Sequence, residues 1–307
     1  MKKLICFVLL TFFLCGCNIK QDNYSRDLLY MDTYINIKIY SNDKELVDEA
    51  MDKIDNMYKN YDQLADRYTS YDDVINIYYI NHKLALNESI KIDKRLYDML
   101  KYSVEKTKIT NNLFNIALGN VIDVWGAFRS GEKKGIPSLI ELQEAGSTNL
   151  KALILSDDNT IMKTENISLD LGAIAKGYVT QLAGDYLDEI GLNKYIITAG
   201  TSSIKAGDHY NNSYYKIGLT NPDDTSKIYK VISGNNFVVT TSGSYERYYE
   251  YNGEKYHHII DPNTLFPTNY MSSVTVINDD ASLGEILSTT LFLMPINEGA
   301  QYIKKFP

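Results

Sequence analysis

The stretch DLGAIAKGY, residues 170–178, puts a lysine where helix electrostatics disfavour one. The pattern predicts Lys176 in the first turn of a helix, the end that already carries partial positive charge and favours Asp or Glu. Two readings follow. Either Lys176 lies along the surface and carries its ammonium to water, with Asp170 capping the helix, or the free N–H groups of the helix start and the ammonium converge on an anion. A phosphate bound there turns a dipole conflict into an attraction.

Three other stretches carry residues able to do chemistry. In ASLGEILSTTLFLM, 281–294, Ser282-x-x-Glu285 matches a capping box. Glu285 and Thr289, four apart, also share one helix face. A carboxylate with a hydroxyl is an oxygen-only pair, suited to a hard cation such as Mg²⁺ that completes its shell with water and substrate phosphate. The two roles of Glu285 compete, because a carboxylate folded back on its own cap is not free for metal. In TTSGSYERYYEYNGEKYHHIIDP, 240–262, strand alternation puts Tyr256, His258 and Ile260 on one face and His257 and Ile259 on the other. A histidine beside Asp261-Pro262 reads as a hydrogen-bonded structural residue. Zinc spacing is absent, with no His-x-x-x-His and no cysteine nearby. LFNIALGNVIDVWGAF, 113–128, is apolar and holds the only tryptophan, Trp125, with two glycines that open the backbone. It reads as core packing or as a wall for a planar ring system.

These residues need elements to position them. A strand is predicted around Thr33–Tyr40 from the alternation of Ile35, Ile37 and Ile39. A helix follows, with Val47, Ala50, Ile54, Met57, Tyr61, Leu64 and Tyr68 at three- and four-residue steps. A second helix near 94–107 carries Leu96, Leu100 and Val104 on one face. Ile167, Leu169 and Leu171 alternate as in a strand, with Ser168 and Asp170 on its other face. From Ala173 the period becomes helical through Ile174, Tyr178, Leu182 and Tyr186, and Gly191 stops the helix. Short strands are predicted at Tyr195–Thr198 and Phe237–Thr241, and Asn252-Gly253 marks a hairpin. The last predicted helix starts near Ser282 and runs through Leu293 to Pro295. Strands and helices mix without a regular βαβ repeat, which predicts an α+β fold of mixed sheets with packed helices.

The chain has 307 residues and a formal charge of −8. Lys2 and Lys3, the apolar run Leu4–Leu14 and Leu14-Cys15-Gly16-Cys17 resemble a lipoprotein signal peptide with its lipobox, predicted over 1–17 with acylation at Cys17. The run is too short to span a bilayer, so the lipid chains would anchor the mature domain. Residues 18–28 read as a polar tether and 29–307 as the folded domain. Cys6, Cys15 and Cys17 are the only cysteines, so the domain has neither a disulfide framework nor a cysteine metal site. Loss of Lys2 and Lys3 with the signal leaves an exported protein still more acidic, a poor nucleic-acid binder.

In this order the segments resemble the FAD:protein FMN transferases, the ApbE-type lipoproteins. The matching pieces are MDTY (31–34), YTSYDDVINIYYIN (68–81), LFNIALGNVIDVWG (113–126), LDLGAIAKGY (169–178), the 241–262 hairpin and LSTTLFLM (287–294). The resemblance implies Mg²⁺-dependent transfer of the FMN half of FAD to a Thr or Ser hydroxyl of a partner protein, with release of AMP. It implies that Met31 and the segment Ile116, Ala117, Leu118 and Gly119 border the flavin. Asp170 and Lys176 are implied to contact FAD, and the Ala173 carbonyl, Glu285 and Thr289 to hold Mg²⁺. His258 is expected near the transferred phosphate as the base for the attacking hydroxyl, with Asp261 as its orienting partner. The expected partner is a flavin-accepting exported or membrane protein, and the expected location is the extracytoplasmic face of the bacterial cell membrane.

The chain departs from the family pattern at several positions. Glu285 stands where Asp is usual, one methylene longer. Asn115 and Ala117 replace Asp and Thr, and Thr201-Ser202 replace a Gly and an acid. Ser244 replaces an Asp, and Leu265 the Gly of a D-P-x-T-G run. The resemblance also implies a further strand beyond KKFP, where this chain stops. No segment matches the acceptor motif D-G-x-T-G-A-[ST], so self-modification is not expected. Hydrolysis of FAD to FMN and AMP, and flavin binding without turnover, are the alternatives.

Overall fold

The structure is a computed structural model that describes residues 22–126 and 135–306. The expected signal segment with Cys17 lies outside these residues, as do residues 18–21. The chain opens with β1 (Asp22–Tyr30), β2 (Thr33–Ser41), α1 (Lys44–Ala65), α2 (Ile77–His82), β3 (Ser89–Lys91), α3 (Lys94–Ile109), α4 (Gly119–Trp125) and α5 (Leu139–Glu144). It continues with β4 (Leu153–Ser156), β5 (Thr160–Lys163), α6 (Ala175–Glu189), β6 (Tyr195–Ala199), β7 (Ser203–Ala206), β8 (Tyr215–Asn221) and β9 (Asp224–Gly234). Last come β10 (Phe237–Gly243), β11 (Tyr248–Tyr251), β12 (Glu254–His257), β13 (Ser273–Asn278), α7 (Ala281–Phe292) and α8 (Ile296–Tyr302). The fold is α+β.

One six-stranded sheet, ordered β1-β2-β6-β7-β10-β13 with every neighbouring pair antiparallel, organises the molecule. Its two faces are separated by the period of two. Ile35, Ile37 and Ile39 of β2, with Tyr195, Ile197 and Ala199 of β6, enter the main core with α1 and α6. Ile196, Ile204, Ala206, Phe237 and Val239 belong to a second cluster, which Tyr215, Ile217, Leu219 and Ile232 of the β8–β9 hairpin complete. Helix α1 presents Val47, Ala50, Met51, Ile54, Tyr58, Tyr61 and Leu64 as its buried stripe. Each of the Val, Met, Ile and Leu side chains among them contributes about 1.5–3 kcal/mol when fully removed from water.

Several expectations need correction. Residues 22–28, read as tether, belong to β1, held along its length by β2. Met57 is only partly buried and Tyr68 lies beyond α1, because steps 54, 58, 61, 64 follow the 3.6-residue period more closely. Ile167–Leu171 is no sheet strand, and Ser168 is buried. Its backbone instead bonds to the 116–119 segment: Gly119 N–H donates to Ser168 O and Asp170 N–H to Ile116 O, both at 2.8 Å. Helix α7 is capped by Asp280, whose carboxylate accepts from the N–H groups of Ser282 and Leu283. The Ser282–Glu285 capping box therefore does not form. Nor is α7 the last helix, since α8 follows it.

Candidate active site

The start of α6 has no side-chain cap. Asp170 does not serve, because its Oδ1 accepts from Gly172 N–H at 2.8 Å, closing a turn five residues before the helix. Ala175 N–H, the first of α6, donates to the Leu171 carbonyl at 2.9 Å, and the N–H groups of Lys176 and Gly177 have no acceptor among the described residues. Its first internal bond runs from Tyr178 N–H to the Ile174 carbonyl, so the Ala173 carbonyl stands outside the helical ladder. Lys176 is half-buried in this first turn.

Helix α7 meets α6 here. A Cβ on Gly177 would lie 2.4 Å from both the Ala281 carbonyl oxygen and Glu285 Cγ, so only glycine permits this approach. Gln181 of α6 accepts from Ala281 N–H at 2.8 Å, which ties the two helix beginnings together. Glu285, only 5% exposed, is freed from capping by Asp280 and points its carboxylate into the junction. Its Oε1 lies 3.7 Å from Lys176 Nζ and accepts a hydrogen bond from Ser203 Oγ of β7. Its Oε2 has no hydrogen-bond or ion-pair partner among the described residues, and neither has the Thr289 hydroxyl one turn along. Those two oxygens and the Ala173 carbonyl are hard, oxygen-only donors, the kind Mg²⁺ takes. No cluster of three or more His, Cys, Asp or Glu side chains able to hold a metal exists among the described residues.

Arg67 is the residue that sequence reasoning missed. Only 5% exposed, its guanidinium donates to Gly119 O (3.0 Å), Asp123 Oδ2 (2.8 Å) and Ser168 Oγ (3.2 Å) and pairs with Asp170 Oδ2 at 3.4 Å. Burial works against its charge, but Asp170 and Asp123 outweigh that and hold the guanidinium above its ordinary value. One cation thus joins the segments expected at the flavin, 116–119 and 168–170. No spacing rule could have found it, because Arg67 is brought in by the turn after α1. Ile116, Ala117 and Leu118 bury their side chains in the protein's own cores, and the Ile116 and Leu118 carbonyls and the Ala117 and Gly119 N–H groups are bonded within the protein. Gly119 is required, since a Cβ would lie 2.5 Å from Ser168 Oγ. Met31 occupies the β1–β2 turn at φ 55°, its N–H donating to Asp62 of α1 at 2.7 Å. No hydrogen bond or ion pair among the described residues joins Met31 to Lys176, Glu285 or His258.

The hairpin forms as the Asn252-Gly253 pair predicts, with both residues at positive φ and Tyr251 opposite Glu254. Its two histidines differ. His257 is buried, donates from Nε2 to the Thr268 carbonyl (2.6 Å) and accepts Ile259 N–H at Nδ1 (3.2 Å), so it is the structural histidine. His258 is half-buried, with Nδ1 3.1 Å from the Arg247 carbonyl. A carbonyl only accepts, so Nδ1 carries the hydrogen and Nε2 of the neutral ring keeps its lone pair. Desolvation pushes this imidazole down to about 4; the charges of Arg247, His257 and Lys176 act in the same direction, against the Arg247 carbonyl bond. Asp261 does not orient His258. Its carboxylate accepts instead from the backbone and side-chain N–H of Asn263, as the Asp-Pro-Asn turn dictates. Leu265 adopts φ 66°, the glycine conformation in a non-glycine residue, and its carbonyl accepts the Trp125 indole N–H at 2.9 Å.

The α+β scaffold thus joins two helix starts, the first without a side-chain cap, around a lysine–glutamate pair. The model of the ApbE family matches residues 31–307, and the chain belongs to that family. It is 28% identical over 287 residues to a FAD:protein FMN transferase of Klebsiella pneumoniae (strain 342), covering 92% of this chain and 86% of the relative. A FAD:protein FMN transferase of Buchnera aphidicola subsp. Baizongia pistaciae is 31% identical over 211 residues, 66% of this chain and 62% of the relative. Among solved structures, the ApbE protein of Thermotoga maritima superposes with a TM-score of 0.83 at 26% identity, covering 93% of this chain and 91% of the other. The apo flavinyl transferase ApbE of Pseudomonas stutzeri gives 0.81 at 21% identity, over 94% and 90%, a likeness of fold.

Proposed function

We propose that this chain is a transferase that moves the FMN half of FAD onto a Thr or Ser hydroxyl of a partner protein, forming a phosphoester and releasing AMP with Mg²⁺ as cofactor. Family membership and relatives named for this activity support the reaction. The observation that carries the site is the 3.7 Å approach of Lys176 and Glu285, far apart in sequence, at two joined helix starts.

The residues divide the work as follows. The N–H groups of Lys176 and Gly177 and the Lys176 ammonium face the two negative charges of the FAD pyrophosphate. Glu285, Thr289 and the Ala173 carbonyl would hold the magnesium ion, which when bound withdraws charge from the pyrophosphate oxygens. Arg67 fixes Asp170 and the 116–119 backbone against the rest of FAD. His258 takes the proton of the acceptor hydroxyl at Nε2. The hydroxyl oxygen bonds to the phosphorus on the FMN side, the bond from that phosphorus to the bridging oxygen breaks, and the bridging oxygen leaves with AMP. Phosphoryl transfer of this kind is positioning plus charge stabilisation.

We place the mature protein on the extracytoplasmic face of the bacterial membrane, held by lipid on Cys17. The basic start, the apolar run and the cysteine in the sequence support this. No helix among the described residues is long and apolar enough to cross a membrane.

The test is AMP release from FAD and Mg²⁺ with and without a flavin-accepting protein. Release only with acceptor, together with a covalent flavin on it, is the expected result. Release without acceptor would make the chain a FAD hydrolase, and binding without release would make it a flavin carrier.

A further inference from the structure

We propose that Ser203 is a positioning residue for the cation: its hydroxyl holds Oε1 of Glu285 so that Oε2 alone is presented to the metal. The proposal rests on the Mg²⁺ reading above. Ser203 is completely buried in β7, opposite Thr240 of β10 and beneath α7. Its Oγ donates to Glu285 Oε1, the same oxygen that Lys176 approaches at 3.7 Å. Both partners of the carboxylate therefore sit on one oxygen, and Oε2 has none among the described residues. That asymmetry matters for Mg²⁺, which requires near-ideal octahedral geometry and is poorly served by a carboxylate free to swing or to chelate with both oxygens. Gly177 packs on Glu285 Cγ and fixes the stem, and Ser203 fixes the head.

The pair also accounts for a glutamate at this place. Shortening the side chain by one methylene from the same backbone draws the carboxylate back by about an ångström. The Glu285→Asp substitution thus loses the Ser203 hydroxyl, and the serine is useful only to the longer side chain. Partners that orient a metal ligand in this way are worth about 10–100-fold in metal affinity.

Mn²⁺ in place of Mg²⁺ provides the probe, titrated into the EDTA-stripped full chain and followed by loss of the free-ion EPR signal. Ser203→Ala should weaken Mn²⁺ binding by about tenfold or more. Ser203→Cys, close in size but a weak donor, should do the same, so the test does not depend on one variant. In the Glu285→Asp background, Ser203→Ala should change nothing further. Unchanged Mn²⁺ affinity in both serine variants overturns the proposal. So does an equal loss in the wild-type and Glu285→Asp backgrounds, which would mark a general structural role. Failure of the wild-type chain to bind Mn²⁺ removes the metal reading itself, and the proposal with it.

Discussion

His258 and Leu265 show how single residues set chemistry and strain. Burial pushes the His258 imidazole down to about 4, with Arg247, His257 and Lys176 adding to the effect. The ring is then neutral across the physiological range, and its Nε2 is available as a base. The acid limb of kcat/KM should fall near pH 4, with activity kept from pH 7 to 5 and lost as the ring protonates below that. His258→Ala should lower kcat by about 10²–10⁴-fold, the usual worth of a positioned base, and a limb near the ordinary histidine value of about 6.5 would contradict the assignment. The same shift bears on stability. The unfolded chain protonates this ring near 6.5, before the folded one does, so stability should decline as pH falls from about 6.5 toward 4. Leu265 stands where the family pattern has glycine and keeps the glycine conformation at φ 66°. Its buried side chain, packed with Leu118, Trp125 and Ile260, offsets the backbone cost. Leu265→Ala and Leu265→Gly should both destabilise, but the glycine variant should be the more stable of the two by about 0.5–1 kcal/mol in urea unfolding, the reverse of the usual order.

At the scale of elements, the candidate site is the contact between α6 and α7. Gly177→Ala would drive a methyl into the Ala281 carbonyl and the Glu285 stem. Separating the helices should cost about 1–3 kcal/mol. Calorimetry should find the lower melting temperature together with weakened Mn²⁺ binding, because the glutamate moves with its helix. A stable variant with normal metal binding would show that the close packing is not what sets the site. This contact also explains what could be read in advance. Lys176 at a helix start, and Glu285 with Thr289 one turn apart, follow from the helical period, which is local. Asp280 rather than Ser282 caps α7, which the Ser-x-x-Glu pattern did not report, and that cap leaves Glu285 free. Arg67 and Ser203 come from a turn and a strand far away in sequence, and no local period reports them. The 167–171 segment alternates like a strand yet pairs with an isolated loop, since its hydrogen-bond partners lie at 116–119 rather than in a sheet.

For the molecule as a whole, the six-stranded sheet with covered faces is a platform. Helices α6 and α7 bring their beginnings together over it. Alternation and helical stripes made the α+β class legible in the sequence, because each element buries one periodic face. The order of strands was not, since antiparallel neighbours are chosen by long-range pairing. Outside the described residues, Cys17→Ala should release the protein from membranes into the soluble fraction while FAD turnover is kept; fractionation and an AMP assay check both. The claim on which the rest depends is that α6 and α7 together form one site for a diphosphate and a divalent ion. Thermodynamic linkage makes this measurable: if the two ligands share the site, each must strengthen the other by the same factor. Flavin fluorescence titrations of FAD and of riboflavin, each with Mg²⁺ and with EDTA, test it most directly. Mg²⁺ should tighten FAD binding and leave the binding of riboflavin, which has no diphosphate, unchanged. FAD affinity indifferent to Mg²⁺, or riboflavin affinity raised equally, would contradict it.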